Sequence, residues 1–187
     1  AGEPAEIAFM NPGGLRADLL YGEDGTVSYK AAAEVQPFAN TLITFNLTGA
    51  QIREALEQQW QPAGSERTKL HLGISEGLSY TYVEEAAQGE HIKDITFKGE
   101  PLDEEATFRV AANAFLATGG DNFIAFADGT DHSDSGQIDL DATVNYFKAH
   151  DVVEPAPLGR SALFEEEEPT QSPVPSEDPT EDPTDEP

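Results

Sequence analysis

The stretch Asn113–Phe123 has the sequence NAFLATGGDNF, and it follows a β-type run, Thr107–Asn113, with the sequence TFRVAAN. Two adjacent glycines, Gly119 and Gly120, allow a tight turn with positive φ and leave space that a side chain would fill. An acid on such a turn, here Asp121, can direct its carboxylate at ligand hydroxyls, and a nearby aromatic ring can stack on a flat ligand. Since Gly-Gly-Asp loops are common, these residues alone favour a structural turn whose two phenylalanines lie in the core.

Strands and helices are predicted on both sides of this turn. β-Branched residues and alternating hydrophobicity predict further strands at Glu6–Met10, Thr41–Leu47, Ile92–Phe97 and in two short pieces of His71–Val83. Helical patterns are found at Tyr29–Val35, Thr48–Trp60 and Asp141–Lys148. Because strands and helices are interspersed, the chain is predicted to be one mixed α/β (α+β) domain of β-sheets with packed helices.

The helix predicted at Thr48–Trp60 has the clearest signals. Thr48 is a good N-cap and Gln51 stands three residues later, which makes a capping box. The i, i+3, i+4, i+8 spacing predicts a buried stripe consisting of Ile52, Ala55, Leu56 and Trp60. The polar side chains expected to face water are Arg53, Gln58 and Gln59.

Two segments near the end of the chain have weaker signals. Residues Gly129–Gly136 are polar and rich in turn formers, so a turn is predicted. Asp131 could begin a calcium loop, but the twelfth position is Ala142, where a bidentate glutamate is needed. Asp141 is predicted to be the N-cap of the last helix.

Charge divides the chain into a folded part and a tail. The sequence has 36 acids, 10 bases and a net charge of −26. Residues 165–187 contain ten acids, six prolines and no base, which predicts a disordered linker or tail after a domain at residues 1–164. Residues 1–164 still have 26 acids against 10 bases, so binding to polymeric nucleic acid or to an anionic membrane is not expected.

Several functional classes are excluded by residue type. The chain has no cysteine, so disulfides and thiolate metal sites are absent. No apolar run reaches the roughly 20 residues that span a bilayer, so direct membrane insertion is not expected. The four histidines lack ligand spacing, so no metal site is predicted in this chain. Because the chain begins with Ala1, we expect a mature or excised segment.

Four motifs, which follow one another along the sequence, resemble those of a known protein family. They are Asn11–Arg16 (NPGGLR), Pro37–Asn40 (PFAN) with the strand and LTGAQI that follow it, Gly73–Leu78 (GISEGL) and Arg109–Phe123. Together they resemble the C-terminal domain of the secreted 5′-nucleotidase family, which includes UDP-sugar hydrolases and 2′,3′-cyclic-nucleotide phosphodiesterases. The resemblance extends over about residues 7–150, nearly the whole predicted domain.

The resemblance implies a nucleoside site in this domain. By motif position, Phe38 and Phe115 would stack on the two faces of the base, and Asp121 would bind the ribose hydroxyls. Arg16 would reach towards the phosphate, and Asn11 would hydrogen-bond the edge of the base. The glycines implied to shape the two turns are Gly13, Gly14, Gly119 and Gly120.

The resemblance also implies that catalysis takes place elsewhere. In the family a separate N-terminal metallophosphoesterase domain holds two divalent metal ions, and no motif in this chain replaces its ligands. The expected partners are therefore a nucleotide or nucleoside and the protein's own N-terminal domain, and this chain alone is expected to be inactive and without a cofactor. The family further implies a secreted location, which is extracellular, periplasmic or cell-wall-associated.

Some alternatives remain open at the level of sequence. Arg16 could form a surface ion pair with Asp18, and Asn11 could simply cap its turn. Pro12 stands where the family often has a third glycine, which could stiffen that turn. A different class of function also fits, namely a non-catalytic cell-surface or adhesion module on an acidic stalk.

Overall fold

The computed structural model describes residues 4–166, and these residues form two mixed β-sheets. The strands are β1 Ile7–Met10, β2 Thr41–Thr48, β3 Gly73–Ile74, β4 Leu78–Tyr82, β5 Ile92–Phe97, β6 Glu100–Pro101, β7 Thr107–Asn113, β8 Thr130–Ile138 and β9 Ser161–Leu163. The first sheet has the order β3-β1-β7-β2-β8, and the second has the order β6-β5-β4-β9. The pairs β1–β7 and β4–β9 are parallel, and the other pairs are antiparallel.

Short helices connect and cover the sheets. They are α1 Tyr29–Val35, α2 Gly49–Glu57, α3 Ala114–Ala117, α4 Ile124–Ala127 and α5 Asp139–Ala149, with 3-10 turns at Pro12–Gly14 and Gly120–Asn122. The predicted mixed α/β fold class is therefore confirmed. In the described part of the chain, no helix combines the length and the apolar character needed to cross a membrane.

Helix α2 joins the two sheets. Its N-terminus has the predicted capping box, in which the Thr48 hydroxyl accepts from Gln51 N and the Gln51 amide accepts from Thr48 N. The predicted apolar stripe is buried, and α2 contacts β2 of the first sheet and β5 of the second. One continuous hydrophobic core therefore includes residues from both sheets.

The end of α2 differs from the prediction. The helix ends at Glu57 rather than at Trp60, and the chain then turns towards an isolated bridge between Trp60 and Lys69. Gln59 was expected to face water, but it is fully buried. Its amide oxygen accepts hydrogen bonds from Leu72 N and the Tyr80 hydroxyl, so the side chain satisfies polar groups inside the core.

Three further local predictions are wrong. The stretch Asn113–Phe123 was expected to form a loop, but it contains helix α3 and the 3-10 turn Gly120–Asn122, and the unpredicted helix α4 follows it. The polar segment predicted as a turn at Gly129–Gly136 lies, from Thr130 onwards, in the edge strand β8, whose residues are almost all exposed. Helix α5 begins at Asp139, so Asp141 lies in its first turn and is not the N-cap.

The predicted domain boundary after Phe164 follows β9, the last strand of the described part. The acidic tail predicted at residues 165–187 falls almost entirely on residues 167–187, which lie outside the described residues. Both the boundary and the disorder of the tail therefore stay predictions.

Candidate functional site

Three chain segments meet at one edge of the first sheet. Because β1 and β7 are parallel neighbours, their carboxyl ends lie at the same edge, and β2, antiparallel to β7, begins there. The turns after β1 and β7 and the segment before β2 are therefore brought together. A fourth segment, which follows α2, adds Arg67.

These segments surround a pocket of about 390 Å³, a volume in the range of small-molecule sites. All five side chains predicted to bind ligand line it, together with Gly13 and Gly14 of the first turn. Arg67 and Asn40 also line the pocket, and neither was predicted as a site residue. The binding roles themselves stay predictions, because the geometry alone tests proximity and not binding.

Two aromatic rings of the pocket are open to solvent. Phe38 is 54% exposed and Phe115 is 44% exposed, so neither is a core residue. Phe123, the second phenylalanine of the Gly-Gly-Asp stretch, is fully buried. Gly120 packs against Phe115, since a Cβ at this glycine would lie 2.6 Å from two ring atoms and from the carbonyl oxygen of Phe115. The glycine therefore makes room for the ring.

A relay of amides orients the carboxylate of Asp121. The Asn11 side-chain nitrogen donates to Asp121 Oδ2 over 3.2 Å, and the Asn11 oxygen accepts from the Asn113 side chain over 2.9 Å. The Asn113 oxygen in turn caps α3 by accepting from Leu116 N over 2.8 Å. Since Asn11 and Asn113 are 3% and 2% exposed, this relay is a buried part of the fold.

The backbone around Asp121 is held from the other side by the segment that follows α2. Asp121 and Asn122 both have positive φ, at 56° and 64°, a conformation that other contacts must support. The Gln61 side chain donates to Asp121 O over 3.0 Å and accepts from the Asn122 side chain over 2.8 Å. The Gln58 side chain accepts from Ala125 N over 3.1 Å. These contacts fix the position of the acid relative to the core.

Two arginines provide positive charge at the pocket. Arg16 Nη1 donates to Gly13 O over 3.4 Å, and its guanidinium lies 5.8 Å from the centre of the Phe38 ring. Within the described residues, Arg16 makes no ion pair with Asp18, the alternative that the sequence left open. Arg67 Nη2 lies 3.8 Å from Asp121 Oδ1. Arg67 is in an irregular segment that matches none of the four motifs, so sequence reasoning had no signal for it.

The turn after β1 is too crowded for larger residues. A Cβ at Gly14 would lie 2.6 Å from Met10 Cε and 2.9 Å from Asn11 Oδ1. The implied shaping role of Gly14 therefore has a steric basis, because a side chain there would displace the amide relay. On the other turn, Gly119 has φ of 86°, which favours glycine.

No candidate metal centre is found in residues 4–166, where no three His, Asp or Glu side chains are grouped closely enough to hold an ion. The segment that begins at Asp131 pairs with β2 as part of β8. His91 is buried beside Glu57, and the ring of His132, in the exposed strand β8, stacks on the buried ring of Phe45. His71 contacts the hydroxyl of Ser161 over 3.1 Å and does not line the pocket.

The fold and the pocket together define a mixed α/β domain with a surface site of exposed aromatic rings, arginines and one carboxylate. Comparison with known proteins assigns this domain to a family. The family described as 5′-nucleotidase, C-terminal domain, matches residues 1–128. The chain belongs to the 5′-nucleotidase C-terminal domain family, which confirms the resemblance seen in the motifs.

Individual relatives agree with this assignment. A 5′-nucleotidase-related protein of Glossina morsitans morsitans is 34% identical over 167 residues, which are 85% of this chain and 29% of that protein. A cell wall protein of Listeria monocytogenes is 38% identical over 132 residues, which are 67% of this chain and 16% of that protein. The crystal structure of a 5′-nucleotidase precursor from Thermus thermophilus superposes with a TM-score of 0.73 at 33% identity. That match covers 87% of this chain and 32% of the structure, so the chain spans about a third or less of the length of these relatives.

Proposed function

We propose that this domain binds the nucleoside part of a nucleotide and presents its phosphate to a catalytic domain of a longer hydrolase. The observation that carries the proposal is the pocket of about 390 Å³, where five side chains from distant parts of the sequence converge. Family membership supports the ligand class, as does a relative from Bacillus subtilis named trifunctional nucleotide phosphoesterase, which is 31% identical over 149 residues.

The base would lie between Phe38 and Phe115. Exposed phenyl rings are costly to hydrate, and both rings here are about half exposed at the pocket. Stacking of a base on an aromatic side chain contributes about 1–3 kcal/mol and accepts any base. The rings would therefore provide affinity for a nucleoside without selecting one base.

The ribose hydroxyls would donate to Asp121. Within residues 4–166 the carboxylate accepts one side-chain hydrogen bond, from Asn11, so lone pairs remain for a ligand. In this proposal one N–H of the Asn11 side-chain amide donates to Asp121 and holds it in place. The second N–H would donate to the edge of the base. That contact, which the motif resemblance implies, stays a prediction.

The phosphate would lie towards Arg16. In the described part of the chain this guanidinium makes one long hydrogen bond, to a backbone oxygen, so most of its N–H groups are available to a ligand. A guanidinium can contact phosphate oxygens in a forked geometry. The phosphate would then extend from the pocket to the domain that carries the metal ions.

The longer protein would be a secreted hydrolase of phosphoester bonds with two divalent metal ions in its N-terminal domain. There a metal-activated water would attack the phosphate, and this domain would position the nucleotide for that step. A secreted location is supported by the relative described as a cell wall protein. The alternative, a non-catalytic surface module, has no support in the pocket, which has the polar and aromatic groups of a small-molecule site.

The test is a chemical-shift titration of the 187-residue chain with adenosine and with AMP. We expect shifts at Phe38, Phe115 and Asp121 at millimolar ligand or below. Phe115→Ala should weaken binding by about 5- to 150-fold, as expected for the loss of one stacking face. The control is Phe164→Ala, since Phe164 is 39% exposed but does not line the pocket.

Two results would contradict the proposal. Silence of the pocket residues at high ligand concentration would show that the site is misassigned. Hydrolysis of AMP by this chain with added divalent metal would show that catalysis does not need a second domain.

A further inference from the structure

Arg67 is an unexplained cation in the pocket. Its side chain is 57% exposed, and the nearest acidic group is Asp121, whose side chain is 18% exposed. Within residues 4–166, the Arg67 guanidinium donates no hydrogen bond within ordinary limits, so its five N–H groups are available to a ligand. An arginine with this many free donors at a small-molecule pocket has a geometry suited to ligand contact.

The distance between Arg67 and Asp121 is the informative quantity. At 3.8 Å, Nη2 and Oδ1 are too far apart for a direct hydrogen bond. Their separation is shorter than twice the length of a hydrogen bond. One hydroxyl oxygen can therefore lie about 2.7–2.9 Å from each atom and contact both. The other carboxylate oxygen, Oδ2, already accepts from Asn11. Oδ1 is therefore the oxygen open to a ligand.

We propose that Arg67 is a specificity-determining residue that selects ribose, because it donates to the same sugar hydroxyl that donates to Asp121. This inference rests on the proposed nucleoside site. A hydroxyl has one donor hydrogen and two acceptor lone pairs, whereas the guanidinium only donates and the carboxylate only accepts. A ribose hydroxyl between them satisfies both groups. A 2′,3′-dideoxy sugar has neither the 2′- nor the 3′-hydroxyl, so it has no ring hydroxyl that can make this bridge.

The experiment compares adenosine with 2′,3′-dideoxyadenosine by chemical-shift titration of the 187-residue chain. Arg67→Gln should weaken adenosine about tenfold and leave dideoxyadenosine within about twofold of the wild-type value. Arg67→Lys keeps the charge but loses the fork, so it should restore part of the adenosine affinity. Lys93→Gln is the matched control, since it removes one exposed positive charge in β5 of the second sheet and should change neither affinity.

Each outcome separates the two proposals. If wild type binds adenosine and Arg67→Gln weakens both ligands equally, or weakens neither, Arg67 does not select ribose, while the nucleoside site stands. If wild type binds no adenosine in this pocket, the nucleoside site itself fails and the role of Arg67 fails with it. Thermal unfolding of each variant should match wild type, because an exposed ion pair at this distance adds little to stability.

Discussion

Replacement of Gln59 by leucine should destabilise the domain, although a glutamine at this position looks like a surface residue in the sequence. Gln59 is fully buried, and its side-chain oxygen accepts from Leu72 N over 2.8 Å and from the Tyr80 hydroxyl over 3.0 Å. Its side-chain nitrogen donates to Leu56 O over 2.9 Å. Leucine has a similar size but can neither accept nor donate a hydrogen bond.

The size of the stability loss depends on which hydrogen-bond partners remain for the groups that Gln59 contacts. Leu56 O keeps a backbone hydrogen bond from Gln59 N, and the Tyr80 hydroxyl can turn to His71 Nε2, 3.4 Å away. The N–H of Leu72 loses its acceptor altogether, and an unsatisfied buried donor costs about 1–3 kcal/mol. The Tyr80 hydroxyl loses a weaker contribution, and burial of the apolar leucine side chain offsets part of the cost. The free energy of unfolding should therefore fall by about 2 kcal/mol. In a domain of this size that is a fall of about 4–8 °C in Tm.

Urea unfolding of four variants tests this estimate. Gln59→Leu should lower the unfolding free energy by about 2 kcal/mol, whereas Gln137→Leu on the exposed surface of β8 should change it by less than about 0.5 kcal/mol. On a Tyr80→Phe background the cost of Gln59→Leu should be smaller by about 0.5–1 kcal/mol, because one orphaned group is absent. Equal stability of Gln59→Leu and wild type would refute the reasoning, and so would full additivity with Tyr80→Phe.

Two further predictions concern the pocket and the response to pH. Gly120→Ala should displace Phe115, because atoms of Phe115 would lie 2.6 Å from the new Cβ. This variant should lose about 1–3 kcal/mol of stability and most of the affinity for adenosine. Gly73→Ala is the control and should be nearly neutral, since its new Cβ would have contacts of 3.5 Å or more. Desolvation and the nearby Lys69 lower the pKa of His71 from 6.5, so His71 contributes stability that is complete above pH 6.5 and is lost as the pH falls below it. Unfolding at pH 7.5 and 5.5 should therefore show a larger loss in wild type than in His71→Asn, and equal losses would contradict the pKa direction.

The elements that were predicted correctly have signals within a few residues. Helix α1 has the predicted bounds, and the start of α2 agrees because a capping box is a local contact between Thr48 and Gln51. Strands β5 and β7 also have the predicted bounds, since β-branched residues and alternation mark a half-buried strand. In each case the side chains that decide the structure are neighbours in the sequence.

The elements that were missed depend on distant partners. Strand β8 is polar along its length, because it lies at a sheet edge and is held by pairing with β2, so it has no buried face to produce alternation. Helices α3 and α4 are one turn each, too short for a helical period. Gln59 faces the core only because α2 ends at Glu57 and the chain changes direction. None of these partners can be read from the residues themselves.

The candidate site shows the same division. Its five predicted residues came from motif positions, and the parallel pairing of β1 with β7 explains why those motifs meet at one sheet edge. Arg67 has no motif, and its proximity to Asp121 depends on the path of the chain after α2. The Gln61 side chain on that path also holds the turn that carries Asp121, and the Gln58 side chain holds the helix α4 that follows the turn. A change at the end of α2 would therefore move both Arg67 and Asp121.

The charge of the pocket is opposite in sign to the net charge of the chain. The chain has only 10 bases against 36 acids, yet two of the 10, Arg16 and Arg67, line the same pocket. With Asp121 as the acid that lines it, the pocket has a net positive charge in a strongly negative protein. Such a local reversal concentrates anions at the site, while the surrounding negative field disfavours polymeric nucleic acid. A small anionic ligand with a flat ring and hydroxyls satisfies each feature, and a nucleotide has all three.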